Sequence, residues 1–147
     1  MTSFRFGRAQ EVVFRDLDLH GHVNSAVYST YLETARLAYL KDVARIEPGD
    51  GLWIILADLR MSFRSPASLG ELLNVGVSVT RMGSKSMEFA YEISGADGQL
   101  VLEATSVHVT FDYERDATAP LLETWRRAIT EYESADRERE ENPRGGA

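Results

Sequence analysis

The sequence of 147 residues contains no cysteine, and this absence excludes several kinds of chemistry. Without thiols the chain has neither a disulfide framework nor a thiolate nucleophile, a composition that fits a reducing compartment. Long apolar runs are also missing. No stretch reaches the length of a membrane-spanning helix, and the first ten residues lack the apolar core of a signal peptide. We therefore expect a cytoplasmic protein without a membrane span.

Lysine is scarce, and Lys41 and Lys85 are the only lysines in the sequence. The 16 basic residues face 23 acidic ones, which leaves a net charge of -7. Binding to nucleic acid needs a clustered positive surface that holds phosphates. The charge balance therefore gives no support to a nucleic-acid partner.

The length and the balance of residue types indicate a globular protein. A chain of 147 residues is long enough for one domain with its own core. Hydrophobic residues make up 44% and charged residues 27%, as in ordinary globular proteins. We expect residues 1–135 to form a single domain. The last segment, residues 136–147, is charged and ends in proline and glycine, so we expect a disordered tail there.

Hydrophobic periodicity predicts the order of the secondary-structure elements. A short apolar strand at 11–14 precedes a helix from Ser25 to about Val43, in which apolar residues recur at a spacing of three to four. Four segments then show strand character, and turn residues separate them: 53–64, 72–81, 87–93 and 101–111. A further helix follows Pro120. This order predicts an α+β fold in which three hairpin-like connections make an antiparallel meander.

The most informative stretch is Arg15–Arg36, RDLDLHGHVNSAVYSTYLETAR, where the first strand ends and the helix begins. Asn24 is a favourable N-cap, and Val23 and Tyr28 have the spacing of a hydrophobic staple. The small residues Ser25 and Ala26 would leave backbone N–H groups accessible at the positive end of the helix dipole. Such groups can hold a developing oxyanion, and the nearby carboxylates can supply a base. This combination suggests acyl chemistry.

The pattern D-x-D-x-x-G-H-V-N, followed by A-x-Y-x-x-Y-x-E-x-A-R, resembles the 4-hydroxybenzoyl-CoA thioesterase-like branch of the hotdog-fold superfamily. The resemblance extends from about Glu11 to Asp112. It implies an antiparallel sheet wrapped around one long central helix. It also implies that Asp18 is the catalytic carboxylate and that N–H groups near Ser25 bind the thioester carbonyl. His22 matches a histidine that takes part in the related plant acyl-carrier-protein thioesterases, whereas His20 replaces their asparagine.

The resemblance also suggests how substrate is bound. Tyr28 and Tyr31 would line the acyl pocket. The predicted hairpin turn holds Ser84, Lys85 and Ser86, which could contact the nucleotide phosphates of CoA, although a solvated turn is nearly as good an interpretation. Arg64 is a further candidate for a phosphate or pantetheine contact. The expected substrate is an acyl-CoA or acyl-carrier-protein thioester, no cofactor is expected, and the family implies a homodimer or homotetramer with shared sites.

Other interpretations compete for the same polar residues. Asp16 and Asp18 could merely cap the turn. Together with His20 and His22 they could also bind zinc, but the sequence shows no second ligand cluster apart from a lone His108, so we expect no metal. His108 itself is expected to be a structural histidine with satisfied hydrogen bonds.

At the level of the whole protein, two other functions compete with thioester hydrolysis. The first is a non-catalytic module that binds acyl-CoA, which would need no Asp18. The second is a hotdog dehydratase or hydratase, which the spacing of the motif disfavours.

On the helix, Glu33 is interpreted as the partner of Arg36 in a structural ion pair.

Overall fold

The structure is a computed structural model that describes residues 4–47, 49 and 51–141, with side chains described as far as residue 135. Two helices and six strands account for most of this chain. The elements are β1 (Phe6–Glu11), α1 (Val27–Asp42), β2 (Leu52–Phe63), β3 (Leu72–Met82), β4 (Ser86–Ser94), β5 (Leu100–Asp112), β6 (Ala117–Thr118) and α2 (Glu123–Glu141). The α+β prediction is confirmed.

All strands belong to one antiparallel sheet, in the order β1-β3-β4-β5-β2, with β6 beside β5. The alternating segments predicted for β3, β4 and β5 are confirmed, and β3–β4 and β4–β5 are hairpins. The predicted meander is wrong for β2, which pairs with β5 instead of β3. Alternation identifies the buried face of a strand, but it does not identify the neighbouring strand.

The first strand also differs from the prediction. It spans Phe6–Glu11 and pairs with β3, whereas the predicted segment 11–14 lies mostly beyond it. Val12 is buried, but a short 3-10 helix begins at Phe14, whose side chain is 80% exposed. β1 is an edge strand with little apolar alternation, so its sequence carries a weak strand signal.

Helix α1 packs one face against the inner face of the sheet. Its predicted span, 25–43, agrees with the observed Val27–Asp42 to within two residues. The buried residues follow helical spacing: Tyr28, Tyr31, Leu32, Ala35, Tyr39 and Leu40. They join the buried residues of β3, β4 and β5 in a single core.

The predicted ion pair on α1 is wrong. Nη1 of Arg36, which is half-buried, donates a hydrogen bond to the hydroxyl of Tyr91 on β4 at 3.1 Å. Glu33 is exposed, and it forms no ion pair with any side chain that the structure describes. Because Arg36 points toward the sheet, its side chain does not lie on the exposed surface of α1, where an i, i+3 pair with Glu33 would form.

Strand β2 forms the edge of the sheet and is shifted in register between Leu56 and Asp58. This bulge keeps the apolar residues on both sides of it on the inner face, as their cross-strand partners show. α1 covers this strand incompletely, because Leu56 is 46% and Phe63 is 51% exposed. The edge strand therefore presents uncovered apolar surface.

Helix α2 packs onto the core through Trp125 and Ile129. It runs on to Glu141, six residues past the boundary expected for the domain. The remainder of the predicted tail, residues 142–147, lies outside the described residues. Disorder of that segment stays a prediction.

Candidate active site

The turn between the 3-10 helix and α1 is a tight, hydrogen-bonded hairpin. The N–H of Asp18 donates to the carbonyl of His22 at 2.7 Å, and the N–H of Gly21 donates to the carbonyl of Asp18 at 3.2 Å. Gly21 has a φ of 77°, a conformation that favours glycine. The backbone therefore holds the side chains of Asp18 and His22 in defined positions.

The two aspartates of the motif have different environments. Asp16 is buried, and its Oδ2 accepts hydrogen bonds from the hydroxyl of Tyr31 at 2.6 Å and from the N–H of Val13 at 3.2 Å. Burial, together with the hydrogen bond to Asp16, raises the pKa of Tyr31. Asp16 therefore anchors the turn to α1, and the hydroxyl of Tyr31 is committed to this anchor.

Asp18 is exposed and open. Its Oδ1 accepts hydrogen bonds from the N–H groups of His20 at 2.8 Å and His22 at 3.2 Å. These donors lower the pKa of Asp18, with that of His22 as the main cause, so the carboxylate is ionised at neutral pH. Its Oδ2 accepts no hydrogen bond from any described residue. One carboxylate oxygen is thus held and the other is available.

Asn24 closes the turn in front of α1. Its Oδ1 accepts the N–H of Ala26 at 2.9 Å, and its carbonyl accepts the N–H of Val27 at 2.9 Å. The N-cap prediction for Asn24 is wrong, because the N-cap of α1 is Ala26 and this position has no side-chain cap. The hydrogen bond to Asn24 nevertheless occupies the Ala26 N–H, so this group is not open. The Ser25 N–H has no acceptor within the part of the chain that the structure describes. Only this one of the two predicted N–H groups is left to bind a ligand.

A cavity of about 430 Å³ lies beside the open carboxylate. Ten residues line it: Asp18, His22, Val23, Asn24, Ser25, Tyr28, Phe63, Arg64, Ser65 and Pro66. The rings of Tyr28 and Phe63 lie 5.7 Å apart, and burial raises the pKa of Tyr28. The cavity thus combines an apolar wall with the two residues Asp18 and Ser25.

The cavity brings together five of the nine predicted site residues: Asp18, His22, Ser25, Tyr28 and Arg64. Tyr31 is not among the lining residues. Sequence reasoning missed Phe63, Ser65 and Pro66, which come from the end of β2 and the segment after it. The signal for them was the Ser65-Pro66 break in the predicted strand. Nothing in the sequence showed that this break faces the turn.

Arg64 lies at the rim of the cavity. Its Nη2 lies 3.0 Å from Oε2 of Glu103, and its Nε donates to the same oxygen at 3.1 Å. Both side chains are exposed, so this pair adds little to stability. It does hold the guanidinium beside the cavity entrance.

The hairpin turn with Ser84, Lys85 and Ser86 does not join this cavity within one chain. Ser86 pairs with Val109, whereas Phe63 at the cavity pairs with Leu102, seven residues away along β5. Seven residues of a β-strand span about 23 Å. Lys85 Nζ instead donates to Oγ1 of Thr118 at 3.2 Å.

Within residues 4–47, 49 and 51–135, no group of three or more histidine, cysteine, aspartate or glutamate side chains is arranged to hold a metal ion. None of the helices in the described ranges is long and apolar enough to cross a membrane.

Comparison with known proteins identifies the family. The family model of the thioesterase-like superfamily matches residues 12–129. A putative acyl-CoA thioesterase of Bacillus subtilis, YneP, is 27% identical over 107 residues, which cover 71% of this chain and 78% of that protein.

Two solved structures extend this comparison. A thioesterase from Thermus thermophilus, complexed with coenzyme A and Zn, is 30% identical, with a TM-score of 0.79 over 91% of this chain and 98% of that chain. A 1,4-dihydroxy-2-naphthoyl-CoA thioesterase from Synechocystis is 25% identical, with a TM-score of 0.76 over 87% and 97%. With this fold and this match along most of its length, the chain belongs to the thioesterase-like superfamily of hotdog proteins.

Proposed function

We propose that this protein is an acyl-CoA thioesterase in which Asp18 is the catalytic carboxylate. The observation that carries the proposal is the shared cavity. Asp18, whose ionised carboxylate has one free oxygen, and Ser25, whose N–H is unpaired, line the same space of about 430 Å³. A thioester carbonyl placed between them would meet a base or nucleophile on one side and an oxyanion donor on the other.

The chemistry follows from these two groups. As a general base, Asp18 takes a proton from water, and the resulting hydroxide attacks the thioester carbon. The negative charge on the carbonyl oxygen is then held by the Ser25 N–H until the C–S bond breaks and the CoA thiolate leaves. In the alternative, Asp18 attacks the carbon itself, and water hydrolyses the mixed anhydride. In either case His22, at the same cavity, positions the water or the carboxylate.

The substrate class rests on the relatives. YneP is named a putative acyl-CoA thioesterase, and the Thermus thioesterase was crystallised with coenzyme A. A panel of aliphatic and aromatic acyl-CoA thioesters with thiol detection would test the proposal. Release of CoA from at least one of them is the expected result. Binding of acyl-CoA without hydrolysis across the panel would instead favour the non-catalytic binding module.

The edge strand predicts self-association. β2 has twelve residues and lies at the edge of the described sheet, with apolar side chains exposed. Natural proteins cover or pair such edges. We therefore expect light scattering to give a mass at least twice the 16.5 kDa of one chain. A stable, active monomer would contradict this expectation.

Lys85 tests whether sites are shared between chains. The hairpin does not line the cavity of its own chain, and we infer that its lysine holds a CoA phosphate at the site of another chain. Lys85→Ala should then raise KM for acyl-CoA with little change in kcat, since the lost contact is equal in ground and transition states. The increase should shrink at high salt. Lys41→Ala, the other lysine, serves as the matched control.

Two further measurements sharpen this test. A truncated thioester that carries pantetheine but no nucleotide should show no KM penalty in Lys85→Ala. Mixed dimers of Lys85→Ala and Asp18→Asn chains should contain one site with both groups intact, and therefore a population with normal KM. An equal penalty on both substrates would show that Lys85 acts through the fold.

A further inference from the structure

The hairpin that carries Asp18 is closed by a hydrogen bond between its two ends. The N–H of Asn24 donates to the carbonyl of Asp16 at 2.8 Å, and the backbone inside this bond is paired as well. We refer to residues 16–24 as the 16–24 hairpin. Because its ends are joined, we expect the hairpin to move as one unit relative to α1.

The two reactive groups lie on opposite sides of this closing bond. Asp18 lies two residues inside the hairpin, whereas Ser25 lies one residue outside it, where the chain enters α1. The distance between the Asp18 carboxylate and the Ser25 N–H therefore depends on the orientation of the hairpin on α1. A base and an oxyanion donor must reach the same carbonyl group, so this orientation matters for the rate.

The side chain of Asp16 fastens the base of the hairpin to α1. Its Oδ2 accepts the hydroxyl of Tyr31, on the second turn of α1, at 2.6 Å, and the N–H of Val13 at 3.2 Å. Asp16 and Tyr31 are both buried. Hydrogen bonds to a charged group are shorter and stronger than those between neutral groups. The contact therefore fixes the hairpin in one place on the helix.

The other hydrogen bonds of the hairpin do not reach the body of α1. The N–H of Val23 donates to the carbonyl of Ala67 at 2.9 Å, which ties the hairpin to the segment after β2. The last residue of the hairpin accepts the N–H of Val27, the first residue of α1. Among the described residues, the hydrogen bond between Tyr31 and Asp16 is the one that joins the hairpin to α1 beyond that first residue.

We infer that Tyr31, through its hydrogen bond to Asp16, sets the position of the 16–24 hairpin on α1 and thereby aligns the two reactive groups. These groups are the Asp18 carboxylate and the Ser25 N–H of the proposed function, on which the inference rests. Tyr31 is a positioning residue, since it is not among the residues that line the cavity. Loss of its hydroxyl leaves the cavity walls in place but lets the hairpin shift.

Tyr31→Phe tests this role, because it removes the hydroxyl and keeps the ring that packs edge-on against Tyr28, with centroids 5.9 Å apart. A displacement of about 1 Å can cost about 100-fold in rate, so kcat for an acyl-CoA should fall about 10- to 100-fold. KM should stay within about twofold, because the groups that bind substrate are unchanged. Steady-state rates on a thioester that the wild type hydrolyses would measure both.

Tyr39→Phe is the matched control. Tyr39 also lies on α1 and is buried, and its hydroxyl also donates to a carboxylate, Oε1 of Glu133, at 2.5 Å. Loss of either hydroxyl should lower the free energy of unfolding. Only the hydroxyl of Tyr31 contacts the hairpin, so Tyr39→Phe should keep its kcat. A merely structural role of Tyr31 predicts the same kcat for both variants.

Hydrogen exchange tests the position of the hairpin without enzymatic activity. The Asn24 amide, which closes the hairpin, should exchange at least about tenfold faster in Tyr31→Phe than in Tyr39→Phe, because local opening becomes easier. If Tyr31→Phe does not fold, Asp16→Asn replaces it in this measurement. That variant keeps an acceptor oxygen in the same place and weakens the same hydrogen bond by removing its charge.

Each outcome bears on the inference. A fall in kcat that is specific to Tyr31→Phe, together with faster exchange at Asn24, supports it. Equal kcat in Tyr31→Phe and Tyr39→Phe, a rise in KM alone, or unchanged exchange at Asn24 overturns it. If the wild type hydrolyses no acyl-CoA, the proposed function fails, and exchange at Asn24 still decides whether Tyr31 positions the hairpin.

Discussion

Replacing Asp18 with asparagine should lower the rate of acyl-CoA hydrolysis by about 10²- to 10⁴-fold, the usual contribution of a general base. The amide keeps an oxygen that can accept the N–H groups of His20 and His22, so the turn should be preserved. What is lost is the negative charge and the ability to take a proton or attack carbon. Steady-state rates on an acyl-CoA that the wild type hydrolyses would measure the effect.

Asp97 provides a matched control for this experiment. Its Oδ1 accepts the N–H of the residue two positions later, Gln99, at 3.0 Å, as Asp18 does with His20. Asp97→Asn therefore makes the same chemical change in a similar turn outside the cavity, and should leave the rate unchanged. Near-normal activity in Asp18→Asn would rule out the assignment. Asp16→Asn should matter much less for catalysis, but it alters a buried anchor and is a poorer control.

The parts of the fold that could be predicted are those whose signal is local. β3 and β4 alternate cleanly because one face of each is buried, and Val75, Val77 and Val79 are on that face. α1 repeats its apolar residues at helical spacing, so its ends were found to within two residues. The turn before α1 was identified because turn and glycine chemistry depend on neighbours in sequence.

The parts that failed depend on contacts distant in sequence. The pairing of β2 with β5 places Phe63 beside Leu102, and no periodicity shows this. For the same reason the Ser65-Pro66 break was recognised without its place at the cavity. Arg36 fits an i, i+3 ion pair by spacing, yet it hydrogen-bonds Tyr91, 55 residues later in the sequence. Rules based on spacing along a helix consider Glu33 but not a partner on another element, such as Tyr91.

For His108 as well, the local sequence pattern predicted the burial but not the hydrogen bonds. Alternation along β5 placed it opposite Val107 and Val109, and it is indeed buried, with only 2% of its surface exposed. The expectation that its hydrogen bonds are satisfied is wrong for Nε2, which has no partner in the described structure. Its environment combines the ring of Phe89, centred 5.1 Å away, with the charge of Arg36. Both disfavour a second proton.

This burial predicts a loss of stability in mild acid. The pKa of His108 is lowered from 6.5 to about 3 in the folded protein, so between these values the unfolded chain binds the proton more readily. The contribution of neutral His108 to the free energy of unfolding should therefore be complete above pH 6.5. Below pH 6.5 the free energy of unfolding should fall as the pH decreases. Each pH unit costs about 1.4 kcal/mol per proton, which gives up to about 2 kcal/mol at pH 5.

Urea unfolding at a fixed protein concentration, repeated between pH 8 and pH 5, would measure this slope. His108→Gln should lower stability at every pH, because it disturbs a packed site, but it should flatten the dependence on pH in this range. His20→Gln, which replaces an exposed histidine at the tip of the turn, is the matched control. The slope, not the absolute stability, carries the test, since it reports proton uptake on unfolding. An equally steep slope in His108→Gln would assign the acid sensitivity to other groups and contradict a neutral, buried imidazole at this position.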